Sequence, residues 1–250
     1  MNTPNFGYLV FLITSMATYG IFALGLNLQW GFAGLINFGH VAFMTLGAYA
    51  TALLSLKGVP IPLAVLVGMG LSMGLGLLIG TSTLRLREDY LAIVTIGVSE
   101  LIRLVALNEE WLTKGSFGLQ SFPLPLDFNP TLFSKICFVL WLTVLAIYAQ
   151  GTLIKSLLSQ WKAGKKIQGK SFQHRKPWAL VIWGAIATAL ILTAYIPGVI
   201  SLWNYSYKAG LMLLSLTFLA ITYGALEFWL HSPWGRILKA IREDEEIPRA

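Results

Sequence analysis

Ile61-Pro62-Leu63-Ala64-Val65-Leu66-Val67-Gly68-Met69-Gly70-Leu71-Ser72-Met73-Gly74-Leu75-Gly76-Leu77-Leu78-Ile79-Gly80-Thr81-Ser82-Thr83 is an uncharged apolar run. A bilayer core is crossed by about twenty such residues in a helix. Within the run, Gly70-x-x-x-Gly74 and Gly76-x-x-x-Gly80 have the spacing that lets helix backbones approach closely, although small residues are also common in membrane helices for packing alone. Comparable runs lie near residues 8–28, 36–56, 90–107, 134–154, 178–197 and 208–230, so seven spans are expected. The predicted fold class is all-α, a polytopic transmembrane helical bundle forming one domain over residues 1–250.

The composition agrees. Of the 250 residues, 56% are hydrophobic and only 12% are charged, where an ordinary soluble domain carries about a quarter. Mean hydropathy is +0.70. No Lys, Arg, Asp or Glu precedes Lys57; the first apolar run therefore lacks the positive region of a signal peptide and is expected to be a retained span. The single cysteine, Cys137, has no partner for an intrachain disulfide or a thiolate metal site. The net charge of +7 does not spread over a soluble face as a nucleic-acid footprint would. Lys155, Lys162, Lys165, Lys166, Lys170, Arg175 and Lys176 crowd between two apolar runs, the pattern of a loop held in the cytoplasm.

Alternating from an outer N-terminus places three charged segments inside: Arg85 to Asp89, the basic loop at 155–177 and the closing segment 231–250. Only Lys57, Lys114, Lys135 and Lys208 fall at or near the outer face. The 155–177 loop has no apolar periodicity, so it is expected to be mobile and solvated, in reach of anionic lipid. Residues 29–40 are too glycine-rich and polar for a plain helix. They predict a broken or re-entrant element, which survives at membrane depth only where protein or a wet cavity satisfies its amides; a short loop leading into an ordinary helix is the alternative.

No catalytic constellation is present. His40, His174 and His231 lie in separate segments, and neither a Gly-x-Ser-x-Gly elbow nor a phosphate-cradling Gly-x-x-x-x-Gly-Lys-Ser/Thr loop occurs. The chain is read as a non-enzyme with no cofactor and no metal; any ATP must be bound by another polypeptide. Polar residues within the spans are the candidates instead, because each is costly in lipid and tends to face a bundle interior or a water path. Glu100 and Arg103, at i and i+3, can pair on one helix or meet the charged ends of a zwitterionic solute. Asn37, Gly39 and His40 lie in the 29–40 element, where a neutral imidazole can bond unwound backbone. Glu227 reads as an interface residue. The translocation-path candidates are thus Asn37, Gly39, His40, Glu100 and Arg103.

The segment Ser232-Pro233-Trp234-Gly235-Arg236-Ile237-Leu238-Lys239-Ala240-Ile241-Arg242-Glu243-Asp244-Glu245 predicts a short amphipathic helix. Ser232 is placed to cap it and Pro233 to open it. Ile237, Leu238 and Ile241 share one side, flanked by Arg236, Lys239, Arg242 and Glu243. Such a helix suits either a groove on a soluble partner or the lipid headgroup layer.

Three stretches together resemble the branched-chain amino-acid permease family, of the LivM-like kind. They are Gly25 to Phe43, reading GLNLQWGFAGLINFGHVAF, with Gly47-Ala48-Tyr49; Leu84 to Gly97, reading LRLREDYLAIVTIG, with Glu100 and Arg103; and Gly235 to Glu245. They occur in the family's order, which is more specific than any single glycine motif. The resemblance implies a permease subunit of an ATP-binding-cassette importer in the bacterial inner membrane, carrying hydrophobic or neutral amino acids. It also implies a homologous second permease subunit, two ATPase subunits and an external solute-binding protein. It assigns the closing segment to ATPase coupling, through Gly235, Arg236, Leu238, Ala240, Ile241, Arg242, Glu243 and Asp244. Family members continue into further spans, so a chain truncated at Ala250 is expected. Two other departures are the Glu246-Ile247-Pro248 ending, where proline stops a helix, and the length of the basic loop. Rival readings are a urea permease, a membrane-embedded enzyme using His40 or Glu100, and a passive channel.

Overall fold

The computed structural model describes residues 6–83, 88–126, 130–166, 177–204 and 207–238. Lipid offers no partner to a backbone amide, so each apolar run satisfies its own amides as a helix. In order these are α1 (Gly7–Leu26), α2 (His40–Leu56), α3 (Ile61–Thr83), α4 (Glu88–Asn108), the short α5 (Glu110–Thr113), α6 (Leu132–Lys166), α7 (Pro177–Trp203) and α8 (Tyr207–His231). A further helical stretch covers residues 233–238. No strand occurs among the described residues, and the all-α polytopic class holds. Hydroxyls inside the spans are satisfied within their own helix: Thr14 donates to Val10, Thr45 to Val41, Thr81 to Leu77 and Thr188 to Gly184.

Two expectations are corrected. Six of the described helices are long and apolar enough to cross a membrane, and α2, with 17 residues, falls short of that length. Its rise is about 25 Å, against a hydrocarbon core of about 30 Å. The apolar run at 36–56 loses its first turn because Asn37 and Gly39 are held in a turn of their own, so the helix opens at His40. The basic segment is also not all loop: α6 runs on through Lys166, while residues 167–176 lie outside the described residues. Leu157 still packs there, against the open face that Gly184 leaves on α7.

The chain forms two compact units. In the first, Met1–Ile21 with Leu126–Ala225, the core is Val10, Leu142, Leu202, Ala209, Met212 and Leu213. Gly198 lies beneath Leu142 and Met212, which lets α6 and α8 approach α7 beside its internal Pro197. Polar bonds cross the same helices, from Trp141 Nε1 to Thr217 Oγ1 at 2.9 Å and from Gln150 Nε2 to Thr188 Oγ1 at 3.0 Å.

The second unit, Phe22–Pro125 with Leu226–Ala250, is built on the α2–α3 hairpin. Gly58 turns the chain with φ 85°, a left-handed value open to glycine without strain. Along the hairpin the backbones nearly touch at Gly47 and Gly68, and Ser72 Oγ donates across to the Phe43 carbonyl at 2.9 Å. The row that closes this seam is Gly68, Ser72 and Gly76, whereas Gly70 and Gly74 face open space. After α4, Thr113 is buried and its hydroxyl donates to the Ala106 and Glu109 carbonyls while accepting from the Gly115 amide, which pins the following turn.

A β-carbon at residue 68 would lie 2.6 Å from Thr51 Oγ1 and 2.8 Å from the Gly47 carbonyl. We therefore expect Gly68→Val to destabilise the protein by about 1–3 kcal/mol through overpacking. Thermal unfolding in detergent should show a lowered midpoint for that variant and no clear change for Gly70→Val.

Candidate functional site

The break between α1 and α2 is built from small and amide residues. Helix α1 does not stop at Leu26 but widens into a π-helical turn, Asn27–Phe32, a feature found often at functional sites. Gly31 fits there because a β-carbon would meet the Asn27 side chain. The chain leaves the turn through Gly34, at φ 77°, with the Leu35 amide bonded back to the Gln29 carbonyl at 3.0 Å. Asn37 then ties the segment at two points. Its Nδ2 donates to Gln29 Oε1 at 3.0 Å, and its Oδ1 accepts from the Gly39 amide at 2.9 Å.

Gly39 seats the break on α4. A side chain there would run into the carbonyl of Thr95, a residue only 2% exposed. Glycine is required at position 39 by space, since its φ of −90° is open to any residue.

Helix lengths set the depth of this contact. Helices α2 and α3 leave their common turn together, yet α2 has 17 residues and α3 has 23, so α2 ends six residues earlier (23 − 17). That is about 9 Å. Thr95 lies five residues into the span Tyr90–Asn108, again about 8 Å. Both measures put Asn37, Gly39 and His40 inside the hydrocarbon layer. There an unpaired amide costs several kcal/mol, of order 2–7.

His40 opens α2 and wedges against α1. Its ring lies 4.3 Å from that of Phe22 and 6.2 Å from that of Phe43, and it interacts with the Phe22 backbone. Its Nε2 fills the space beside Gly25. The imidazole thus rests against the regular part of α1. The other nitrogen, Nδ1, is buried with no hydrogen-bond partner.

Glu100 and Arg103 form a bidentate pair along α4. Arg103 Nε donates to Glu100 Oε2 at 2.8 Å and Nη2 to Oε1 at 2.6 Å, with the side chains 52% and 57% exposed respectively. The structure does not join this pair to the break: Thr95 and Glu100 are five positions apart, about 140° around the helix, so the two candidate sets use different sides of α4. Elsewhere in this unit, a cleft of about 860 Å³ runs along α2 and α3 under Phe122 and Pro125. The hydroxyls of Thr51, Ser55 and Ser72 in it all donate to backbone carbonyls, leaving walls suited to apolar groups.

At the other end of the chain, Ser232 does not cap the following helix. Its hydroxyl donates back to the Trp229 carbonyl at 2.5 Å, as does its amide at 3.0 Å. His231 Nδ1 likewise bonds the Glu227 carbonyl at 2.7 Å. The three bonds finish α8, and Gly235 then folds residues 233–238 directly onto Leu230, whose backbone would collide with any side chain at 235. Trp234 and Ile237, three residues apart, remain 73% and 51% exposed, beside the exposed Arg236 and half-buried Leu238. Ala240, Ile241, Arg242, Glu243 and Asp244 lie outside the described residues.

Sequence reasoning placed Gln29 in the break without a role for its side chain, and missed Phe22 and Thr95 as its neighbours. Gln29 carried a faint signal, a polar residue in an apolar stretch; Thr95 carried none, because its carbonyl makes the contact. We expect Asn37→Ala to leave the Gly39 amide unpaired at depth and to destabilise by about 1–3 kcal/mol. A thermal midpoint in detergent unchanged from wild type would contradict this account of the break.

Against known proteins, the family described as the permease component of the branched-chain amino acid transport system matches residues 8–250. The high-affinity branched-chain amino acid transport system permease protein LivM of Salmonella typhimurium (strain LT2) is 41% identical over 123 residues, which is 47% of this chain and 28% of that protein. The LivM protein of Escherichia coli (strain K12) is 38% identical over 119 residues, again 47% and 28%. The chain thus spans less than a third of the length of these curated relatives in the matched region. No solved structure gives a significant match. With a family match over nearly its whole length, a polytopic helical fold and a helix break at membrane depth, this chain belongs to the branched-chain amino acid transport system permease family.

Proposed function

We infer that this chain is a permease subunit of an ATP-driven importer that moves hydrophobic or neutral, branched-chain amino acids across the bacterial inner membrane. The observation that carries the reading is the family match over residues 8–250. It is supported by the break in the α1–α2 connection, since irregular backbone at membrane depth is tolerated where it borders protein or a cavity. The chain performs no chemistry of its own. Its proposed partners are a homologous second permease subunit, two ATPase subunits and an external solute-binding protein.

In this mechanism the Asn37–Gly39 break borders the solute path, and the Glu100–Arg103 pair, on another side of α4, supplies fixed charges separately from it. Residues 231–250 carry the coupling to the ATPase. Closure of the ATPase would favour one permease state over another only through differential docking of this segment. The turn at Gly235 is suited to that work: it seats residues 233–238 on the end of α8, so a push on the short helix moves the long one.

Two outcomes test the reading. Uptake of labelled leucine and alanine, measured in cells with the full operon, should require both this gene and an active ATPase; uptake of urea alone, or uptake independent of the ATPase, would overturn it. Gly235→Trp should lower uptake at least about tenfold, on the scale of a lost coupling free energy of 1–3 kcal/mol, while the protein remains in the membrane. Normal uptake in that variant would remove the coupling role from the turn.

A further inference from the structure

No role described above uses the cleft along α2 and α3. Its volume is about 860 Å³, and every residue that lines it belongs to the second unit. None of them is charged or a histidine. The hydroxyls of Thr51, Ser55 and Ser72 already donate to backbone carbonyls. A cavity with such walls does not retain water, which needs several polar partners to stay. A zwitterionic amino acid would find no charged group there to pair its ends.

The ends of the cleft coincide with the depth of one leaflet. On α3 the lining begins at Ile61, the first residue of a span that closes at Ser82, and stops at Ser72, the middle of that span. From Ile61 to Ser72 the helix rises about 16 Å, and half of a hydrocarbon core is about 15 Å. On α2 the lining runs from Ser55 to Phe43, a rise of about 18 Å. The cleft therefore reaches from the membrane surface at the Gly58 turn to the midplane, where a lipid tail ends.

Lid and walls both suit a flexible hydrocarbon. Helix α4 returns to the side of the Gly58 turn, and beyond the Thr113 turn a strap, residues 119–125, lays Leu119, Phe122, Pro123 and Pro125 over the cleft. Pro123 and Pro125 carry no amide hydrogen, so the strap leaves fewer donors unpaired above an apolar guest. Met44 and Met69 line the walls and are 43% and 62% exposed; their unbranched thioether side chains adapt to a guest of irregular shape. Lys57, exposed and two residues beyond Ser55, stands at the level of the headgroups. We propose that the cleft binds one acyl chain of a membrane phospholipid from the leaflet on the side of the Gly58 turn, with the lipid phosphate beside Lys57 and the strap closed over the chain. The assignment does not depend on which solute the protein carries.

The full-length protein is extracted from native membranes with whatever accompanies it, washed free of bulk lipid and reloaded with phosphatidylethanolamine that carries a diazirine at the end of one acyl chain. On irradiation, adducts should form around Met44 and Ser72, at the deep end of the cleft, and saturate at a single lipid per chain. Leu77 and Leu78, 59% and 64% exposed in the other half of α3, report free lipid and should label without saturation. Cleft labelling that does not saturate, or that follows Leu77 and Leu78, overturns the proposal. So does a free fatty acid or detergent alone retained in place of phospholipid.

Ala48→Trp, which fills the cleft from an exposed position on α2, should lower the saturable adduct at least about fivefold with labelling at Leu77 and Leu78 unchanged. Phe122→Ala opens the strap, leaves the helix pair intact and should release the bound lipid at least about threefold faster in a chase with unlabelled lipid. An unchanged adduct in Ala48→Trp protein that keeps its thermal midpoint, or unchanged release in Phe122→Ala, overturns the proposal. Benzoylphenylalanine at Ala52, irradiated in native membranes, should give a phospholipid adduct; an adduct with another segment of this chain or with another protein overturns the proposal, because the cleft is then a packing surface.

Discussion

Asn37 holds a break in the backbone at a depth where water is not available to hold it. A helix satisfies its own amides, so interrupting one inside the hydrocarbon layer leaves groups whose desolvation is uncompensated. One carboxamide meets that demand at two points, donating to Gln29 and accepting from Gly39. The rest of the local geometry follows: α2 starts late, its first residue is a histidine wedged under α1, and the chain is pressed onto α4 at Thr95. In the proposed permease role, such a break would offer a solute polar backbone atoms without a buried charge.

Close backbone approach is the second organising feature. Gly39 against Thr95, Gly68 against Gly47 and Gly235 against Leu230 are three places where no side chain fits. In lipid the helices gain little from burying apolar surface, so contact depends on packing and hydrogen bonds that come with short distances. Each of these glycines sits at a point that transmits position from one element to the next: the break to α4, α2 to α3, and residues 233–238 to α8. The charged pair on α4 works in the opposite sense, being closed on itself.

Much of the fold was legible because apolar length and charge placement are properties of the chain itself. Residues 61–83 read as a span and form one, and the glycine and asparagine content of residues 29–40 marked the break. The boundaries were less legible. The start of α2 at His40 depends on a side-chain bond between residues eight apart, and the continuation of α6 to Lys166 depends on packing of the Leu157 kind against α7. Among glycines, the spacing Gly70-x-x-x-Gly74 stood out in the sequence, while the seam uses Gly68, Ser72 and Gly76. Spacing alone does not say which side of a helix meets its neighbour.

The sequence by itself determined that the chain crosses a membrane repeatedly, that its charges gather in particular connections, and that Glu100 and Arg103 are within reach of one another. These follow from hydrophobicity and from the helical repeat, which are local. Only the tertiary structure decided that Gly39 meets Thr95, that the break lies at depth, that Ser232 finishes one helix instead of starting the next, and that Glu100 and Arg103 close on each other. Each of those depends on which surfaces of separate helices come together, and that is settled by close contacts between residues far apart in the chain.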